Sequence, residues 1–476
     1  MICHLLRDPR AICACALLLV AGCSHANVRL NPANVPIESR QPNATRAALA
    51  AHVNLPAERG QRSIEPATRA AGSHVDANDD GYFVGLALSG GGSRSANFSA
   101  ACMFELQRMG LLGRVDYLSS VSGGSLTAAF YCTSDAARWN PQTVQERLTH
   151  PFATDVIAHL LLPWNAAAQM FTSWDRTDLL AESFERELFT QNGKTQTFRD
   201  LRPDRPRLLI NATDLQSGRR FVFCNESFDR INSDLAKYPL ARAVAASAAA
   251  PVLMHHVTLQ DYSTTFDQYV HLIDGGVNDN LGIATLVETY YAHVESAHRA
   301  GVPDPYPNGA IFIMLDARTQ FDAQLSDKAD MGLFAGLAAG AGLTSTVLLN
   351  RVSTATMSDL IVRYCPDDTT AGAIRGQIKT LESTGYLDTR DHMGRRVRVV
   401  HVALSYMHDV SDLPFSSFSE RVNNIATYFN IEPTEAYHLY KAAELLVRDK
   451  FDGPLSEIVR DLDGAGAGAV ATQPAR

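Results

Sequence analysis

The chain has no basic surplus, no cysteines at metal-binding spacing, no internal repeat and no heptad pattern, and each absence removes a class of function. Lys plus Arg total 42 against 51 for Asp plus Glu, a formal net charge of −9. That surface lacks the positive field that holds nucleic acid, so no nucleic-acid partner is expected. Charge alone does not recruit it to an anionic membrane either. Cys102, Cys132, Cys224 and Cys365 are scattered through mostly apolar runs with no CxxC pair, which favours buried free thiols over a disulfide framework or a zinc site. A Cys102–Cys132 pair stays open. His255 and His256 are adjacent and would point to opposite faces of a strand, so they do not form a zinc site. No metal and no cofactor is expected.

What is present is a long chain, 476 residues with 46% hydrophobic content, enough to bury a large core as one big domain or two smaller ones. It starts with Arg7 and Arg10 around the apolar run Ala11 to Val20, then Val20-Ala21-Gly22-Cys23. A basic flank, an apolar run too short to span a bilayer and small residues before a cut site make an export signal over residues 1–22. Its ending resembles a bacterial lipoprotein lipobox, which implies that Cys23 becomes the acylated first residue, palmitate being one such acyl group. The expected location is then the cell envelope, lipid-anchored, at the outer membrane facing the periplasm.

Residues 23–81, polar, Pro-punctuated and aperiodic, read as the lipidated N-terminus and a flexible tether. Asp76 to Gly81 imitates the start of a calcium loop, but Ala87 occupies the twelfth position, where a bidentate Glu is required, so a polar turn suffices. Strand-length apolar runs follow at Phe83–Leu88, Val115–Val121, Leu208–Ala212, Phe221–Cys224, Tyr269–Ile273, Ala310–Leu315 and Arg396–Leu404, with helical patterns at Asn97–Arg108, Leu126–Cys132, Thr177–Phe189, Leu240–Ala250 and Pro433–Lys450. Strands alternating with helices predict an α/β fold with a largely parallel sheet and helices on both faces. Met331 to Asn350 carries no charge, but its glycines and alanines make it a better lid or buried helix than a membrane span. Residues 464–476 read as a disordered tail.

Three short stretches carry chemistry. Ser120-Val-Ser122-Gly-Gly124 ends a strand and opens a helix, the arrangement of a nucleophile elbow with Ser120 in place of its first glycine. Gly123 and Gly124 allow the tight turn, and the helix N-terminus favours a developing alkoxide on Ser122. Gly90-Gly91-Gly92-Ser93-Arg94 also lies between strand and helix. It has no Walker Lys-Ser/Thr pair, and Ser95 stands where the dinucleotide fingerprint needs glycine, so an oxyanion hole is the economical reading. Arg94 would hold the loop in shape or meet an anionic head group. Asp274-Gly275-Gly276 follows a strand, so Asp274 could approach Ser122 and take its proton. A Ser-His-Asp triad is the alternative, with His401 the downstream candidate.

In this order the three motifs resemble the patatin-like phospholipase family over about Phe83 to Ile283, together with the Ala-Ser-x-x-x-Pro segment around Ser247. The resemblance implies a three-layer α/β/α fold and a Ser-Asp dyad without histidine: Ser122 as nucleophile, Asp274 as base with Gly275 and Gly276 behind it, and an oxyanion hole from Gly90, Gly91, Gly92 and Arg94. It implies a lipid acyl hydrolase acting on a phospholipid or another fatty-acyl ester. Residues 82–285 would be the catalytic core and 286–463 the C-terminal part of the same domain, with lid or acyl-channel helices around Leu160 and Met331. A catalytically silent lipoprotein that binds lipid or a partner is the rival reading, and a thioesterase or peptidase the rival within serine chemistry. Ser120 and Gly282, where many members carry glycine and proline, are departures from the family pattern.

Overall fold

A computed structural model describes residues 34–37, 78, 80–160, 162, 165, 174–251, 253–265, 268–319, 371–391, 393–409 and 416–471. The export signal, Cys23, Cys365, the run 331–350 and most of 160–173 lie outside the described residues.

The strands are β1 (Tyr82–Leu88), β2 (Tyr117–Val121), β3 (Thr190–Gln191), β4 (Lys194–Thr195), β5 (Arg207–Asp214), β6 (Arg220–Phe223), β7 (Val257–Asp261), β8 (Gln268–Asp274), β9 (Gly309–Asp316), β10 (Tyr386–Arg390) and β11 (Arg396–Ala403). Apart from the small β3–β4 hairpin they form one sheet in the order β10-β11-β9-β1-β2-β5-β8-β7, with β6 paired to β5. Its centre, β11-β9-β1-β2-β5, is parallel. β10, β6, β8 and β7 pair antiparallel at the periphery.

The layers follow from the period of two along each strand. Val84, Leu86 and Leu88 of β1 enter one apolar cluster with Ile311, Ile313 and Leu315 of β9, while Phe83 and Ala87 join Phe312 and Met314 in a second cluster on the other face. Helices Gly92–Arg108, Gly123–Thr133 and Leu240–Ser247 cover the first face, and Ile283–Ala300 covers the second through Leu286, Val287, Tyr290 and Val294. The result is a three-layer α/β/α fold around a mainly parallel sheet. Phe83, fully buried, stacks on Tyr117 at 5.2 Å and meets Tyr306 edge-on at 5.2 Å; emptying such a site costs about 3–5 kcal/mol.

The structure differs from the sequence reading in several elements. The helix expected from Asn97 starts at Gly92, because its first turn, polar in composition, is buried through Ser95. Strands β7 and β10 went unread because each buries a single side chain, Leu259 and Leu387, so no apolar alternation marks them. Helix Asp452–Ala471 carries the chain past Gly464, where a disordered tail was expected. Within the stretch expected to be a tether, Asn34 to Ile37 is docked: Pro36 bridges to Ser233, and Ile37 N–H donates to Asn232 O at 3.2 Å. Among the described residues no helix is long and apolar enough to cross a membrane. Cys102, Cys132 and Cys224 are buried free thiols, so no Cys102–Cys132 disulfide forms.

Candidate active site

The site is assembled where the chain turns back on itself. From β1 the sheet grows to one side through β2 and β5 and to the other through β9 and β11, so the loops at the carboxyl ends of the adjacent parallel strands β1 and β2 lie side by side next to that switch point.

Ser122 leaves β2 with φ 48° and ψ −121°, a left-handed conformation costly for a residue with a Cβ. What holds it there is a set of buried polar bonds. The Ser122 N–H donates to Ser247 Oγ at 2.8 Å, and Ser247 Oγ donates to Asn211 O at 2.6 Å. Ser125 Oγ lies 3.1 Å from Ser247 Oγ and donates to Ser120 Oγ at 3.1 Å. Ser120 thus fits the turn without glycine, its side chain serving as an acceptor.

The elbow and the glycine loop are pressed together. A Cβ on Gly123 would fall 2.0 Å from Gly92 O, so any side chain there would separate the two loops. Gly124 follows in the same helix. The three glycines expected to form one cradle have different fates. Gly90 N–H donates to Asn280 O at 2.9 Å, which removes it from the set of free donors. For Gly91 and Gly92 no acceptor is found among the described residues. Ser93 N–H donates to Tyr428 O at 2.7 Å.

Arg94 does not face the cleft. It is buried, and Nη1 donates to Ile425 O at 2.8 Å. Burial pushes its pKa down to about 10, against the opposing charge of Asp316. Its place corrects the expectation of an oxyanion-hole member: Arg94 ties the glycine loop to the chain segment Ile425–Tyr428, more than three hundred residues later.

Asp274 ends β8, which runs antiparallel to β5 with Asp274 opposite Ala212, while Val121 is opposite Asn211 across β2 and β5. These two registers bring Asp274 beside Ser122 from the opposite direction. Asp274 Oδ1 accepts the Gly276 N–H at 2.7 Å, and the Ser122 hydroxyl is near enough to the carboxylate to favour its charged form. Its backbone is fixed by Asp274 N–H to Ala249 O at 2.9 Å and Thr213 Oγ1 to Asp274 O at 2.9 Å, and Gly275 N–H reaches Ser247 O at 3.2 Å. Burial pushes the carboxyl pKa up to about 6, more than the Gly276 N–H and the Ser122 hydroxyl lower it.

His401 is elsewhere. Its Nε2 lies 3.0 Å from Asp316 Oδ2 at the end of β9, and its Nδ1 lies 3.3 Å from the Tyr406 hydroxyl. The triad alternative therefore lacks its geometry.

Sequence reasoning missed the supporting residues. Ser247 was seen without its bond to the elbow. Asn211, whose Nδ2 donates to Ser119 Oγ and Ser120 O at 2.8 and 2.9 Å, carries no local signal. Asn280, buried, receives Gly90 on its carbonyl, and its Oδ1 has no partner among the described residues.

No curated protein matches this chain. Among solved structures it is similar to human GIVD cytosolic phospholipase A2, at 12% identity and a TM-score of 0.44, covering 82% of this chain and 61% of that one. The same human enzyme in complex with methyl gamma-linolenyl fluorophosphonate and terbium chloride gives 11% and 0.43, with 82% and 60% covered. VipD from Legionella pneumophila gives 12% and 0.29, with 89% and 80% covered. The chain thus spans about three-fifths of the human enzyme's length, and these likenesses are too remote to carry chemistry. Residues 86–287 match the family model described as patatin-like phospholipase, so the part of the chain that holds the elbow, the glycine loop and Asp274 is a patatin-like phospholipase domain.

Proposed function

We propose that the protein is a lipid acyl hydrolase that cleaves fatty-acyl esters through an acyl-serine intermediate on Ser122, with Asp274 as the sole general base. The observation that carries this reading is the register that sets the buried Asp274 carboxylate beside Ser122, on a strained elbow pressed against a glycine loop; burial pushes the Asp274 pKa up to about 6. A carboxylate at its ordinary pKa is a poor base for a serine hydroxyl; burial makes Asp274 a stronger one while leaving it ionised at neutral pH.

In the first half-reaction Ser122 Oγ attacks the carbonyl carbon as its proton passes to Asp274. The tetrahedral oxyanion is stabilised by the N–H groups of Gly91 and Gly92, with the N-terminus of the helix Gly123–Thr133 favouring negative charge. The carbon–oxygen bond breaks as Asp274 returns the proton to the leaving alcohol. Water then attacks the acyl-serine, gives a proton to Asp274, and the fatty acid leaves as Ser122 recovers that proton. Anchoring through acylated Cys23, in the cell envelope at the outer membrane facing the periplasm, belongs to the same reading.

Parent protein and Ser122→Ala, assayed on a panel of phospholipids and soluble acyl esters, test the chemistry. Loss of hydrolysis in the variant is expected; full activity in it, or no ester cleaved by the parent, would overturn the reading. Cys23→Ser should leave the membrane fraction, and unchanged membrane association would count against the anchor.

A further inference from the structure

Eight large apolar side chains stand exposed among the described residues, and their distribution is uneven. Four of them, 39 to 52% exposed, belong to the loops that build the site. Tyr428 carries the carbonyl that receives Ser93, and Val277 lies three residues past Asp274. Leu253 follows Ala249, whose carbonyl receives Asp274 N–H, and Leu215 N–H donates to His271 O of β8 at 2.8 Å. Asn278 Nδ2 donates to Gly218 O at 3.0 Å and so ties the Val277 turn to the β5–β6 hairpin that bears Leu215. Apolar side chains exposed on several separate loops that are bonded to the site are costly in water and fit a lipid surface.

The second observation is the docked segment Asn34–Ile37. Asn34 Nδ2 donates to Gln260 O at 2.8 Å, Gln260 N–H returns a bond to Asn34 Oδ1 at 3.0 Å, and Tyr262 Oη donates to Asn34 O at 2.9 Å. Ser233 Oγ donates to Val35 O at 2.9 Å. Gln260 pairs with Tyr269, five residues before Asp274 along β8. Because β8 runs toward Ser122 from beyond the carboxyl end of β2, that pairing puts the clamp about 17 Å from Asp274 along β8, beyond the carboxyl ends of β2 and β5. It is also close to the proposed anchor: Asn34 is 34 − 23 = 11 residues after Cys23, a reach of at most about 40 Å. Were Asn78, whose Nδ2 donates to Arg114 O at 2.9 Å, the first residue held, the tether would be 78 − 23 = 55 residues, with a reach of about 190 Å.

We propose that Asn34–Ile37 is a strap that holds the acylated N-terminus on the catalytic side of the domain, so that the apolar rim Leu215, Leu253, Val277 and Tyr428 rests on the phospholipid bilayer. The partner is the bilayer that supplies the substrate, and the proposal rests on the anchored-hydrolase reading. Shortening the effective tether from 55 to 11 residues raises the local concentration of the rim at the membrane roughly tenfold, since effective concentration falls as the −3/2 power of tether length.

The test uses full-length lipidated protein on phosphatidylethanolamine–phosphatidylglycerol vesicles beside a soluble butyrate ester. The ratio of vesicle to soluble turnover should fall at least tenfold in Leu215→Asp and Leu253→Asp, and several-fold to tenfold in Asn34→Ala/Ser233→Ala, with Val302→Asp as the off-rim control. A ratio equal to the parent's in the rim variants, or an equal fall in the control, would overturn the rim; a parental ratio in the strap variant would overturn the strap. Leu215→Ser and Leu253→Ser carry the same test should an aspartate variant unfold. Vesicle co-sedimentation of the Cys23→Ser chain with and without Leu215→Ser reads docking even if no ester is cleaved, so failure of the hydrolase reading is distinguishable. A concentration-dependent dimer in solution that the rim variants abolish would assign the rim to a second copy of the chain and overturn the bilayer.

Discussion

Asp274 and Asp316 each end a strand of the same sheet, and each is buried, yet their acidities diverge. Burial pushes Asp274 up to about 6, with only the Gly276 N–H and the Ser122 hydroxyl opposing it. Burial works on Asp316 in the same direction, but the Arg318 charge and the His401 ring outweigh it and hold the carboxyl at about 2. One carboxylate has cationic company and is a fixed ion of the fold. The other has none among the described residues and is left able to take a proton near neutral pH, the condition for a general base.

The contrast can be broken from either side. The largest effect is expected at Asp274→Asn, which keeps an acceptor for Gly276 and removes the base: kcat should fall by about a thousandfold or more. Turnover within about tenfold of the parent would give Asp274 a structural role only. Next is His401→Gln, which strips Asp316 of a partner. It should lower stability by about 3 kcal/mol, as breaking a buried pair does, while turnover by the folded fraction stays within about tenfold of the parent. A folded His401→Gln protein as inactive as Ser122→Ala would revive the triad.

A smaller effect has the opposite sign in stability. Because the folded pKa of Asp274 is raised, its contribution to stability is present below about pH 4 and is lost as pH rises through about 6. A shift of about two units corresponds to about 3 kcal/mol, so Asp274→Asn should be more stable than the parent by up to about that amount at pH 8 and by little at pH 4. Denaturant titrations at the two pH values check it, and equal stabilities at both would contradict the burial argument. Asp316 has the reverse window: its depressed pKa stabilises the fold above about pH 4 and that support is lost as pH falls toward 2.

The same two carboxylates mark how far the sequence could be read. Asp274 was legible because its neighbours are local: a strand before it and Gly275-Gly276 after it, as with Ser122 and the glycine run. The parallel centre of the sheet was legible because its strands are buried along nearly their whole length and carry mostly apolar runs. What supports the site was not legible, because it arrives from far along the chain on residue types without a local signature. Ser247 fixes the elbow, Asn280 takes the Gly90 N–H, and Ile425 and Tyr428 receive Arg94 and Ser93 through backbone carbonyls that any residue could supply. Arg94 looked like a cleft residue from its position in the loop, and only the packing of the C-terminal part shows it turned the other way. Asn34 was indistinguishable from its polar surroundings until β7, itself unread, gave it an edge to bind.

The dyad is tested most directly by the pH dependence of the rate at which an organophosphonate ester probe labels Ser122, followed by peptide mass spectrometry in the parent and in Asp274→Asn. The account predicts labelling on Ser122 that falls about tenfold per pH unit below about 6, and a slow rate without that inflection in Asp274→Asn. An inflection unchanged in Asp274→Asn, or label that persists at the parental rate in Ser122→Ala, would contradict it.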